Sequence, residues 1–141
     1  MDGAIHRAAG PELLAFCRGL NGCRTGRAKI SPGFALPARH VIHTVGPVWR
    51  GGGANEEALL ASCYDESLAL AVENGLHTVA FPSISTGVYR FPIREAARIA
   101  VSRVRGALER EASLHRIFHV CFSASDLEVY RRAVAEAYRG D

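Results

Sequence analysis

Apolar residues recur along this chain with two periods, and the changes of period mark its elements. Over residues 3–20, Ile5, Ala8 or Ala9, Leu13, Phe16 or Cys17, and Leu20 return at three- and four-residue steps, the spacing of one helical face. Pro11 falls inside that pattern and lacks the amide a continuing helix needs, so the spacing predicts a break near Gly10 and a second helix from Pro11. Asn21-Gly22 closes that helix with a turn. Residues 23–39, with Gly26, Pro32, Gly33 and Pro37, read as loop around one short strand candidate, Ala28-Lys29-Ile30-Ser31. His40-Val41-Ile42-His43-Thr44-Val45 is β-branched, short and stopped by Gly46-Pro47, which predicts a strand. Residues 49–55 are glycine-rich and read as a surface linker. Nothing there assigns a phosphate role, since no strand feeds the loop and no lysine follows at the spacing of a phosphate-binding loop.

The second half alternates more regularly. A helix is predicted over residues 56–74, with Leu60, Cys63 or Tyr64, Ser67 or Leu68, and Ala71 on its buried stripe and Gly75 as its stop. A strand follows over residues 77–81, and then a helix over 93–112 burying Ala97, Val101, Val104 and Leu108. Residues 116–122 predict another strand, and Ser125 with Glu128 fits the capping box of a last helix over 126–138. Strands alternating with helices from His40 onward predict an α/β fold with right-handed crossovers and a largely parallel sheet covered on both faces. Three or four short strands make a thin sheet for so many helices.

The chemistry concentrates between the strand at 77–81 and the next helix. Ser83, Ile84, Ser85, Thr86, Gly87, Val88 and Tyr89 form a small, hydroxyl-rich loop with a glycine. In an open α/β sheet, ligands bind at the carboxyl ends of strands. Successive amides near a helix start attract phosphate, and Gly87 would let backbone approach a ligand closely. An ordinary connection whose Ser and Thr cap the helix fits the same residues. Asp2 likewise reads as a helix cap or as a functional carboxylate, and Phe122 as core or as a side chain overhanging a cleft.

Composition narrows the class. At 141 residues, with 48% hydrophobic and 22% charged positions, this is one soluble globular domain spanning residues 1–141. A net charge of +3 suits a phosphorylated ligand, yet no dense basic block with interleaved aromatics predicts nucleic-acid binding. Cys17, Cys23, Cys63 and Cys121 form no C-x-x-C and are expected reduced, in the cytoplasm. His40 and His43 lack partners at metal-ligand spacing, so no metal is expected. No apolar run is long enough for a membrane span, and the first residues are not a signal peptide. Neither a Gly-x-Ser-x-Gly elbow nor a dinucleotide fingerprint occurs.

Three separated motifs carry a family resemblance: Asp2-Gly3-Ala4-Ile5-His6-Arg7-Ala8-Ala9-Gly10, Val41-Ile42-His43-Thr44-Val45-Gly46-Pro47, and Ser85-Thr86-Gly87-Val88-Tyr89. In this order they resemble the macrodomain, specifically its MacroD-type branch, from the first residue to about Tyr138. The resemblance implies a three-layer α/β/α fold with a mostly parallel mixed sheet. It implies binding of ADP-ribose, removal of mono-ADP-ribose from acidic side chains of modified proteins, and deacetylation of O-acetyl-ADP-ribose, without metal or cofactor. It places residues 83–89 on the diphosphate and distal ribose, Asp2 as the catalytic acidic residue beside a water, and Phe122 against the nucleotide. Arg90 stands where the family often has glycine, its side chain expected in solvent.

The resemblance begins in mid-loop. The family's first two strands, which end in an acidic adenine reader and an Asn-bearing loop, have no counterpart here. One of them belongs inside the sheet, so unpaired backbone is expected on either side of a gap. A start codon assigned at a valine codon would produce such a sequence. Without the adenine reader, binding by the chain as it stands is expected to be weak. A non-catalytic ADP-ribose reader, or an inactive fragment of a mis-started gene, are the other readings.

Overall fold

The computed structural model describes residues 2–139. The helix break at Gly10 is present. α1 (Asp2–Ala9) and α2 (Pro11–Arg18) flank Gly10, whose φ of 90° no helix continues through, and Pro11 opens α2. Asn21 and Gly22 both take left-handed backbone in the turn that follows. Two short strands come next, β1 (Ala28–Pro32) and β2 (His40–Thr44), then α3 (Glu56–Glu73), β3 (Thr78–Pro82), α4 (Ile93–Arg110), β4 (Arg116–Val120) and α5 (Ala124–Ala137).

β1 and β2 pair antiparallel, with Lys29 opposite His43 and Ile30 opposite Ile42, whereas β3 and β4 pair parallel, with Ala80 opposite Phe118 and Phe81 opposite His119. β2 and β3 are not hydrogen-bonded to each other, so the described residues form two two-stranded sheets. The break expected in the sheet therefore lies between β2 and β3. Half of the pairing is antiparallel, because alternation with helices, which speaks for parallel crossovers, begins only after β2.

Side-chain alternation shows how the layers stack. On one face of β1–β2, Lys29 Nζ donates to the Leu20 carbonyl, and His43, hydrogen-bonded to Ser31, meets Cys17 of α2. On the other face Ile30 and Ile42 pack into the core that α3 supplies. Helices thus cover both faces here. In β3–β4 the inward residues Val79, Phe81 and Ile117 join the same core, but the outward Ala80, Phe118 and Val120 stay exposed.

The core is built on α3 and α4. Leu60, Cys63, Tyr64, Ser67, Leu68 and Ala71 are all buried, both members of each pair that periodicity left open. α4 presents Ala96, Ala97, Ala100, Val101, Val104 and Ala107, whose small volumes leave room for the larger α3 side chains; Leu108 is only half-buried. The Tyr64 ring tilts against Phe81, centroids 4.9 Å apart. On the surface Arg103 clasps Asp65 with two bonds of 2.9 and 2.6 Å. One cap differs from expectation. Ser123, not Ser125, caps α5, accepting from the Asp126 amide at 3.1 Å, because β4 ends at Val120 and the helix starts two residues earlier.

Candidate functional site

The loop after β3 is held from three sides. Within it, the Thr86 hydroxyl donates to the Ser83 carbonyl at 2.9 Å, and the Phe91 amide to the Ser85 carbonyl at 2.9 Å. From α5, the buried Tyr130 hydroxyl donates to Ser83 Oγ at 2.9 Å. From the segment after β2, the Trp49 amide donates to the Tyr89 carbonyl at 2.8 Å. Gly46 lies against the loop so closely that a Cβ there would run into Ser85 Oγ and sit 2.7 Å from Ile84 Cγ2. Only glycine fits between that strand exit and the loop.

This bracing leaves donors free. The amides of Ser85, Gly87, Val88 and Tyr89 have no backbone acceptor among the described residues, and Gly87 and Val88 are exposed. Such a row of amides suits an anion. The left-handed positions are Ser85 (φ 66°) and Arg90 (φ 61°), not Gly87. A Cβ on Gly87 would meet nothing within 4 Å, so its missing side chain is not needed by the fold. Arg90 is exposed, as expected. The alternative of a hydroxyl cap on α4 is not realised: Pro92 occupies the N-cap and no side chain bonds there.

Phe122 lies two residues beyond Val120, which pairs with Pro82 at the end of β3, so it overhangs the same carboxyl end as the loop. It is 97% exposed and is not core. Asp2 opens α1, its carboxylate 89% exposed and 3.6 Å from His6 Nε2 one helical turn on. His6 and Asp2 in turn act on His43 of β2. Burial lowers the His43 pKa, the His6 charge lowers it further, and Asp2 opposes both. Ser31 Oγ lies 2.8 Å from His43 Nε2. Cys17 Sγ lies 3.6 Å from the same nitrogen, and burial, then Asp2, push its thiol pKa up, away from nucleophilic character. Asp2 thus acts on β2 through its charge, and Gly46 at the exit of β2 lies against the loop. Among the described residues no three His, Cys, Asp or Glu side chains gather as a metal site.

Sequence reasoning missed His6, Tyr130 and Glu56. The four-residue spacing of Asp2 and His6 on a helix was a readable signal. Tyr130 gave none, because its partner lies 47 positions away. Glu56, 1% exposed, accepts from the amides of Arg50 at 2.9 Å, Gly52 at 2.8 Å and Ala54 at 2.5 Å. Burial pushes its carboxyl pKa up, but the amides outweigh burial and hold it at about 2. The glycine-rich segment read as a plain linker is therefore tied down.

The chain is similar to known proteins over nearly its whole length. The Macro domain family model matches residues 1–100. A macro domain-containing protein of Ralstonia nicotianae is 63% identical over 137 residues, spanning 97% of this chain and 78% of that protein. The ADP-ribose glycohydrolase MACROD2 of Homo sapiens is 49% identical over 144 residues, covering 100% of this chain and 34% of the human protein. Among solved structures, the Oceanobacillus iheyensis macrodomain with ADP superposes with a TM-score of 0.90 at 44% identity, over 96% of this chain and 74% of that one. The Trypanosoma brucei macrodomain in complex with ADP-ribose superposes with a TM-score of 0.87 at 43% identity, over 94% of this chain and 56% of that one. The motifs around Asp2, His43 and Gly87 are therefore those of a known fold, and the chain belongs to the macro domain family.

Proposed function

We propose that this protein binds ADP-ribose across the carboxyl ends of β3 and β4. In this reading the free amides of residues 85–89 hold the diphosphate, Phe122 lies against the nucleotide, and Asp2 serves the distal ribose. The observation that carries the reading is the braced loop whose amides at Ser85, Gly87, Val88 and Tyr89 have no backbone acceptor among the described residues. Amides fixed before the ligand arrives need no reorganisation to stabilise its charge. The ADP-ribose seen with the Trypanosoma brucei macrodomain supports the ligand class.

The same reading assigns chemistry to Asp2. Its carboxylate takes a proton from a water, which adds to the ester joining ADP-ribose to an acidic side chain. ADP-ribose leaves as one product and the carboxylic acid as the other. With O-acetyl-ADP-ribose the same addition at the acetyl ester releases acetate. His6, 3.6 Å from Asp2, orients the carboxylate. The human relative, the ADP-ribose glycohydrolase MACROD2, supports hydrolysis over binding alone.

The test is release of ADP-ribose from a mono-ADP-ribosylated protein. Asp2→Ala is expected to lower the rate by about 100-fold, the lower end of what a positioned base contributes, while ADP-ribose affinity changes little. Equal rates in the two proteins, with binding intact, would instead identify a non-catalytic reader.

A further inference from the structure

Gly51, Gly52 and Gly53 follow one another between Trp49 and α3, and three adjacent glycines lose more conformational entropy on ordering than any other tripeptide. Nevertheless Gly51 and Gly52 take one defined left-handed conformation, at φ 90° and 93°, and Asn55 follows at 65°. One side chain gathers the amides on either side of Gly51 and that of residue 54. Glu56 is the first residue of α3, where the helix dipole favours a negative charge, and its two oxygens accept the amides of residues 50, 52 and 54. Hydrogen bonds to a charged acceptor are the stronger kind, and three converge on one buried carboxylate.

The turn so fixed begins at Trp49. The Trp49 ring covers Gly52, where an added Cβ would lie 3.2 Å from its Cη2. Trp49 also meets the ligand loop and its flank at Phe91. The ring tilts on Phe91 with centroids 4.8 Å apart, and its backbone amide holds the Tyr89 carbonyl at 2.8 Å. Phe91, buried, bonds back to Ser85 through its own amide. The Glu56 carboxylate thus reaches the loop through Trp49, whose ring meets Phe91 and whose backbone amide holds Tyr89. A carboxylate serving only to start α3 would bond the first amides of its own helix alone; this one also gathers the amides of residues 50, 52 and 54 in the turn outside it.

We propose that Glu56 is a positioning residue for the ligand loop, acting through Trp49. This rests on the reading of residues 83–89 as an ADP-ribose site. Replacing the carboxylate by an amide removes the charge and turns one acceptor into a donor facing amides, so Glu56→Gln frees the triple-glycine turn and with it the indole.

Trp49 is the single tryptophan of the chain, so its fluorescence reports on the turn without any ligand. Glu56→Gln is expected to make Trp49 more accessible to acrylamide and to weaken ADP-ribose binding about tenfold by calorimetry. Val104→Ala, a core change on α4, is expected to lower Tm while leaving quenching and affinity as in wild type. Trp49→Leu keeps Glu56 and its turn, and is expected to weaken binding by itself; in the double variant Glu56→Gln is expected to add little further loss. The proposal is overturned if Glu56→Gln lowers Tm but leaves quenching and affinity unchanged, or if its effect simply adds to that of Trp49→Leu. Should Glu56→Gln fail to fold, Trp49→Leu alone decides: wild-type affinity there also overturns it. Failure of wild type to bind ADP-ribose would refute the functional reading, and the quenching comparison would still judge the link from Glu56 to Trp49.

Discussion

Arg90 holds its backbone at φ 61° while its side chain lies in solvent. A residue with a Cβ is strained there by about 1–2 kcal/mol, which glycine escapes. Glycine gives back part of that through its looser unfolded chain, so Arg90→Gly is expected to raise stability by about 0.5–1 kcal/mol, seen as a higher midpoint in urea. A lower midpoint would mean that the Arg90 side chain contributes more than its exposure suggests. The candidate site was partly legible at this scale. Asp2, the residues of the loop, and Phe122 could be singled out by residue type and by their place at strand and helix ends. Glu56 could not, because its role depends on the conformations of Gly51 and Gly52, which residue type leaves open. For Gly87 the sequence pointed to close approach of a ligand to the backbone, and the structure leaves open space beside it.

At the scale of the elements, His119 of β4 packs beside the residue that braces the candidate loop, with a measurable consequence. Its ring packs 5.4 Å from that of Tyr130, the residue that holds Ser83, and its Nδ1 is buried without a partner. Burial lowers the His119 pKa from its ordinary 6.5. The folded protein therefore keeps the ring neutral while the unfolded chain takes up a proton. Stability is full above pH 6.5 and is lost as pH falls from there toward the lowered folded value. His43, shifted the same way chiefly by burial, adds to the loss. Between about pH 7 and pH 5 the urea midpoint is expected to fall, and His119→Phe is expected to flatten that slope without abolishing it. An unchanged slope would show that His119 is not buried neutral. Element positions were legible where one face is apolar, as in α3 and α4. Two adjacent residues are buried at 63–64 and 67–68 because α3 packs against both α4 and the β1–β2 pair, a wider stripe than one row of positions. The cap of α5 was misplaced by two residues because Ser123 and Ser125 are chemically alike and only the end of β4 distinguishes them.

Over the whole molecule, helices α3 and α4 carry two half-sheets that do not bond to each other. The α/β class and the strand-helix alternation could be read from the chain, but strand pairing could not: nothing local to residues 28–32 shows that they run antiparallel to 40–44. Nor could the uneven layering be read, since Phe118 looks like core and is 47% exposed on the uncovered face of β3–β4. Within the described residues no helix is long and apolar enough to cross a membrane. Both half-sheets present their carboxyl-end exits, Gly46 and Ser83, to one loop, and the central claim is that this loop binds ADP-ribose. Gly87→Ala tests it most directly, because an added Cβ meets nothing within 4 Å in the protein itself and can clash only with what binds there. Calorimetric titration with ADP-ribose is expected to show saturable binding by wild type and at least about tenfold weaker binding by Gly87→Ala, the variant melting no lower than wild type. Equal affinity in both, or no binding by folded wild type, would contradict the account.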